Sequence, residues 1–208
     1  MTDSPRLIGL YSPAPQSGKS TIANYLRSRN YAKVSFAAPL KRLVMELLTE
    51  LGFTSEAARH FVYEEKEALL PGINTTARHM LQTLGTEYGR DCIHPNLWVM
   101  CAERRILDCV EQGMNVAVDD VRFPNEANLI RELGGELWYV HRPDAKLTTT
   151  HTSEGGLDNY PLFDRRIEND GTLLSLYSTI REILENNGKD YRTNRLRPLS
   201  AETRRTGH

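Results

Sequence analysis

Residues 11–21 read YSPAPQSGKST, and the reading of this stretch decides the fold. A phosphate-binding loop has the spacing G-x-x-x-x-G-K-[ST], because its backbone N–H groups close around phosphate oxygens at the start of a helix. Gly18, Lys19 and Ser20 keep that spacing, whereas Pro13 stands where the first glycine belongs. Proline holds φ near about −65° and donates no N–H. The leading glycine serves mainly the turn, however, and the donors come from later residues. A stiffened but working loop is therefore expected, with Gln16, Ser17, Gly18, Lys19, Ser20 and Thr21 around the phosphates. In such a loop the lysine reaches the β- and γ-phosphates and the serine hydroxyl ligates Mg²⁺.

Working outward, Arg6–Tyr11 (RLIGLY) is apolar enough for a buried strand that runs into the loop. Ser20–Arg29 follows with Ile22, Ala23 and Leu26 at helical spacing. Ala32–Phe36 alternates as a second strand, and Pro39 opens a helix to Leu51. Glu56–Leu69, Thr76–Tyr88 and Pro95–Gln112 read as further helices. Asn115–Asp119 (NVAVD) is an interior strand with an acidic end, Asn125–Leu133 a helix stopped by Gly134 and Gly135, and Glu136–Val140 another strand. Thr148–Phe163 has no periodicity and reads as a mobile loop, Arg166–Asn169 as a last short strand and Gly171–Asn186 as a closing helix. Such alternation predicts a three-layer α/β fold of about five mostly parallel strands. Ligands then sit at the carboxyl ends of the strands, the edge that carries both the Gly18–Lys19 loop and the Asp119–Asp120 pair.

The bulk numbers narrow the function. The chain has 208 residues, 26 Lys+Arg against 27 Asp+Glu, and a tail from Gly188 to His208 with six basic residues against two acids. A surface built for nucleic-acid backbones carries a net basic surplus, so stable nucleic-acid binding is not expected. No signal-peptide h-region or membrane-spanning run is present in the sequence. Cys92, Cys101 and Cys109 lack CxxC spacing and suit reduced thiols. A cytoplasmic protein is expected.

Asp119 and Asp120 end an apolar strand, where a carboxylate can hold a metal's water shell or merely cap a turn. Arg122 follows in DDVRFPNEA and offers a forked donor to a phosphate, or a surface ion pair. In TTARHMLQTLGTEYGRD, Arg78 and Gln82 lie four apart on one helix face. Gln82 can donate to and accept from a base edge, and Arg78 and Arg90 can neutralise phosphates. Trp98 serves either as a stacking face or as core.

Taken together, SGKST, FAAPLK, ARHMLQTLGTEYGR, DVRFPNEA, GGELWYVHRP, HTSE and IENDGTL resemble the bacteriophage deoxynucleoside monophosphate kinases, a branch of the P-loop kinases. The resemblance runs from Leu7 to about Leu184, and its LQTLGTEYGR and DVRFPNEA segments are far more specific than the loop. It implies transfer of the ATP γ-phosphate to a deoxynucleoside 5′-monophosphate, with Mg²⁺. It assigns ATP to Gly18, Lys19, Ser20 and Thr21, the acceptor nucleotide to Lys41, Arg78, Gln82, Arg90 and Trp98, and the magnesium side to Ser20 and Asp120. Arg122 and Arg142 join Lys19 and Asp120 as catalytic candidates, Arg142 and His151–Glu154 belong to a lid, and Asn169 lies in a loop near the adenine. The expected organisation is one kinase domain over residues 1–187, with a helical acceptor-binding region at 53–112 and a lid at 143–166 hinged at Arg165 and Arg166. A weakly ordered tail follows at 188–208, and a homodimer is expected. The alternatives are a kinase acting on a hydroxymethylated base within DNA, which the basic tail suggests, and a nucleotide-binding module without catalysis, if Pro13 spoils the loop.

Overall fold

The computed structural model describes residues 5–145, 156–157 and 160–187. The expected lid stretch His151–Glu154 and the basic tail lie outside the described residues. Five parallel strands form one sheet: β1 (Leu7–Tyr11), β2 (Tyr31–Val34), β3 (Asn115–Val118), β4 (Glu136–His141) and β5 (Arg165–Glu168). Their spatial order is β2-β3-β1-β4-β5. The fold class expected from the alternation of elements is therefore the one observed.

β1 is buried at all five positions, so both of its faces need cover. One face carries Ile8 and Leu10. There α1 (Lys19–Arg27) and α7 (Leu173–Asn187) bring Ile22, Ala23, Leu26, Leu176 and Ile180 onto Ala117, Trp138, Val140 and Ile167. The other face carries Leu7 and Gly9. A Cβ on Gly9 would lie 3.1 Å from Ile130 of α6 (Pro124–Glu132) and 3.0 Å from Leu137 of β4, so glycine is what lets that helix sit close. Pro124 opens α6, and the buried Glu126 carboxylate accepts the N–H groups of Arg122 and Phe123 at 2.7 and 3.2 Å. Gly134, at φ 75°, ends the helix in the left-handed region.

This first compact unit comprises the chain up to Ser35 and from Glu103 onward; Phe36–Ala102 forms a second. The second unit contains α2 (Ala38–Glu50), α3 (Ser55–Tyr63), α4 (Ala77–Gln82), a π-helix (Thr83–Ile93) and the first turns of α5 (Leu97–Glu111). Its core is Val44, Leu48, Ala58, Val62, Leu70 and Ala77. Thr54 caps α3 by accepting the Ala57 N–H at 3.1 Å, and Thr76 caps α4 by accepting the His79 N–H at 3.1 Å.

The structure corrects three element readings. The helix expected to reach Leu69 stops at Tyr63, because Leu69 bridges to Thr76 around a turn that uses positive φ at Gly72 and Asn74. The helix expected over Thr76–Tyr88 widens to π geometry from Thr83 and runs on to Ile93. The last strand, expected over Arg166–Asn169, runs from Arg165 to Glu168 and so includes both arginines expected at the hinge, of which Arg166 donates to Glu168 at 2.6 Å. Within the expected mobile loop, Leu157 is fully buried and Phe163 stacks on Tyr11 with 5.4 Å between ring centroids, whereas Gly156, Pro161 and Leu162 are exposed. Among the described residues no helix is long and apolar enough to cross a membrane.

Candidate active site

The chain leaves β1 at Tyr11 and enters α1 at Lys19, with Gln16 at φ 55° and Gly18 at φ 106°. Gly18 is the N-cap of α1 and contributes no side-chain cap, in contrast to the threonines that start α3 and α4. The first N–H groups of a helix have no intrahelical acceptor, and here no cap side chain takes them up. Together with the positive end of the helix dipole they form a site suited to an anion.

Pro13 does not turn Lys19 away. The Ala14 N–H donates to Ser12 Oγ at 3.3 Å, so a serine hydroxyl closes the turn where a glycine is usual. The Lys19 ammonium folds back over the loop, donating to Ser12 O at 3.4 Å, Ala14 O at 3.3 Å and Ser17 Oγ at 3.4 Å. The lysine charge is thereby fixed within the curve of the loop.

A cleft of about 560 Å³ opens there, floored by Gln16, Ser17, Gly18, Lys19, Ser20 and Thr21 and walled by Arg142, Asn169, Gly171, Leu173 and Leu176. Arg142 directly follows β4 and Asn169 directly follows β5, so both come from the carboxyl edge of the sheet. Asn169 donates its side-chain N–H to the Ser17 carbonyl at 2.9 Å. Beside this wall, Glu168 accepts from Arg166 and pairs with His141 Nδ1 at 2.5 Å. The hydrogen bond from Arg166, then that from His141, holds the Glu168 carboxyl below the usual carboxylate range.

At the end of β3 the two adjacent acids have different partners, one in β2 and one just past it. Asp119 pairs with Lys33 Nζ at 2.7 Å, whereas Asp120 accepts the Ser35 hydroxyl at 2.5 Å. Asp119 thus has a cation, and Asp120 a hydroxyl donor, among its contacts. Arg122 is exposed and is not among the residues lining the cleft. Arg142, itself exposed, lines this cleft, and Arg122 sits at the start of α6, where its N–H donates to Glu126.

Within the second unit, Lys41 places its ammonium 4.9 Å from the centre of the Tyr63 ring, which Arg59 also approaches at 5.3 Å. Arg78 pairs with Glu67, Gln82 is half-buried in the last turn of α4, and Arg90 donates to the Pro95 carbonyl at 3.3 Å. Trp98 is a correction. Its indole is 7 % exposed, donates to the Gly85 carbonyl at 2.7 Å and lies where a Cβ on Gly89 would meet it at 2.6 Å. It supports the π-helix and offers no open stacking face.

Sequence reasoning missed Lys33, Ser35, Leu173 and Leu176. A lysine in β2 and a serine just past its end carry no signature until the β2–β3 register is known. The leucines read as ordinary helix core.

Comparison with known proteins adds an independent line. A sequence profile described as deoxynucleotide monophosphate kinase matches residues 53–180. A protein of Acanthamoeba polyphaga mimivirus, provisionally named a deoxynucleotide monophosphate kinase, is 34% identical over 193 residues, covering 86% of this chain and 96% of that protein. The deoxynucleoside-5′-monophosphate kinase of Escherichia phage T5 is 36% identical over 107 residues, covering 48% of this chain and 42% of its own length. Among solved structures, a dephospho-CoA kinase from Campylobacter jejuni superposes with a TM-score of 0.50 at 13% identity, over 88% of this chain and 97% of that one. That likeness concerns the fold alone.

Proposed function

The chain belongs to the deoxynucleotide monophosphate kinase family, and from that premise we propose that it transfers the γ-phosphoryl group of ATP to the 5′-phosphate of a deoxynucleoside monophosphate, releasing the diphosphate. The observation that carries the proposal is the uncapped start of α1, with Lys19 fixed over the loop and Arg142 on the facing wall of one cleft.

Phosphoryl transfer asks a protein mostly for alignment and charge neutralisation. The loop from Gln16 to Thr21 would bind the donor phosphates through backbone N–H groups. Lys19 would meet the charge that builds between the β- and γ-oxygens, and Arg142 would neutralise charge from the opposite wall. Leu173 and Leu176 give the cleft an apolar side, suited to the flat face of a base. In the second unit, Lys41, Arg78, Gln82 and Arg90 are proposed to hold the acceptor.

Magnesium is usually held by one or two carboxylates together with substrate phosphates rather than by an all-protein cage. The donor set here fits that mode: Ser20 stands at the second position of α1, and the Asp120 carboxylate lies just past β3 with the Ser35 hydroxyl donating to it. Bound with ATP, the ion would supply charge neutralisation at the transferring phosphate.

The reaction draws on ATP and free nucleotides, so the cytoplasm is its proposed location. A homodimer is also part of the proposal, since two-fold dimers are the commonest assemblies; α2 exposes Leu43, Leu47 and Leu51 along one stripe that a second copy would cover. Light scattering should return twice the chain mass.

The experiment is a coupled steady-state assay with each of the four common deoxynucleoside monophosphates, ATP and Mg²⁺. Turnover of at least one acceptor, abolished by omission of ATP, is expected. Absence of turnover with every acceptor, base-modified ones included, contradicts the proposal.

A further inference from the structure

We propose that Asn169 is a positioning residue that latches the phosphate loop in its anion-binding shape, and that it acts through the loop rather than by contact with the donor's base. The inference deepens the proposed function and rests on it for the identity of the donor.

Four observations carry it. Asn169 Nδ2 donates to the carbonyl of Ser17, a residue 152 positions away in the chain, at 2.9 Å. The Asn169 backbone is itself fixed, because its N–H donates to the His141 carbonyl at 2.7 Å and so continues the β4–β5 pairing one residue past the strand. Ser17 is 1% exposed, so its carbonyl has little access to water as an alternative partner. Lastly, a Cβ on Gly18 would lie 2.5 Å from Asn169 Nδ2, so the amide occupies the space next to the loop's glycine.

A trans peptide is planar, with its C=O and N–H pointing in opposite directions. Holding the Ser17 carbonyl toward Asn169 therefore fixes the direction of the Gly18 N–H on the other side of the same plane. Gln16 and Gly18, on either side of Ser17, both have positive φ. This is a conformation that the non-glycine residue Gln16 keeps only when its surroundings enforce it. Asn169 supplies such enforcement and ties the loop to the same strand edge that presents Arg142.

The test is titration calorimetry on the full chain with three probes: ATP, GTP and inorganic tripolyphosphate. For Asn169→Ala we expect all three to bind about tenfold more weakly, the loss of one well-placed hydrogen bond to a buried acceptor. Asn169→Leu fills the same space without a donor or a charge and should give the same result if the alanine variant fails to fold. Amide hydrogen exchange should speed up at Gly18 while the thermal midpoint stays near that of the wild type. KM for ATP should rise while KM for the monophosphate stays put. Loss confined to ATP, with tripolyphosphate binding intact, would show that Asn169 reads the base and would overturn the latch. So would unchanged binding in both variants, or a wild-type chain that binds no tripolyphosphate. If tripolyphosphate binding responds as expected but no deoxynucleotide is phosphorylated, the acceptor assignment fails and the latch stands.

Discussion

Asp119 and Asp120 are neighbours in sequence, yet Lys33 of β2 lies 2.7 Å from the first and the hydroxyl of Ser35, just past β2, donates to the second at 2.5 Å. At the residue scale the magnesium-side role is proposed for Asp120, whose carboxylate the hydroxyl orients. Asp120→Asn is expected to lower kcat by on the order of 10²-fold, whereas Lys33→Ala should cost about 0.5–1 kcal/mol of stability, seen in urea denaturation, and leave kcat close to wild type. Ser35→Ala should lower kcat by about tenfold through a less well-oriented carboxylate, and Ser35→Thr should restore most of it. Equal kinetic effects of Asp119→Asn and Asp120→Asn would refute the sorting. The same scale shows what sequence could reveal. Gly18, Lys19 and Ser20 are legible because phosphate chemistry fixes their spacing. The consequence of Pro13 is not, because the Ser12 hydroxyl that closes the turn has no fixed place in the motif.

At the scale of elements, β1, β3 and β4 were legible because a strand covered on both faces leaves a continuous apolar run. The π-helix was not. Its sequence keeps helical periodicity, and what accompanies the widening is non-local: Trp98 donates to the Gly85 carbonyl and fills the space a Cβ on Gly89 would take. Gly89→Ala should therefore destabilise the chain by about 1–3 kcal/mol through overpacking, and Trp98→Phe by about 1–3 kcal/mol by stranding the Gly85 carbonyl; chemical denaturation measures both. The β4–β5 edge makes a pH-dependent prediction. Arg166 and His141 hold the Glu168 carboxyl below the usual range. A depressed folded-state value stabilises the fold at pH above the ordinary carboxylate range, and the gain is lost as pH falls through the lowered value. The thermal midpoint of the wild type should exceed that of Glu168→Gln modestly at neutrality, and the two should converge in acid. A gap that widens in acid would contradict the pairing.

At the scale of the whole molecule, the order β2-β3-β1-β4-β5 puts the carboxyl ends of β3, β1 and β4 side by side. Those ends carry Asp120, the phosphate loop and Arg142, which is why a strand order built for packing also gathers charge-handling residues. Alternation of elements in the sequence gave the number and direction of the strands but not the division of the chain at Ser35 and Ala102. The cut falls inside α5, where no turn residue marks it. The central claim is that this edge transfers a phosphoryl group to a deoxynucleotide. Incubation with ATP labelled in its γ-phosphate and a deoxynucleoside monophosphate tests it most directly. The label should appear in the deoxynucleoside diphosphate with the wild type and fall by on the order of 10²–10³-fold with Lys19→Ala. Label found only in free phosphate, or transfer undiminished without Lys19, would contradict the account.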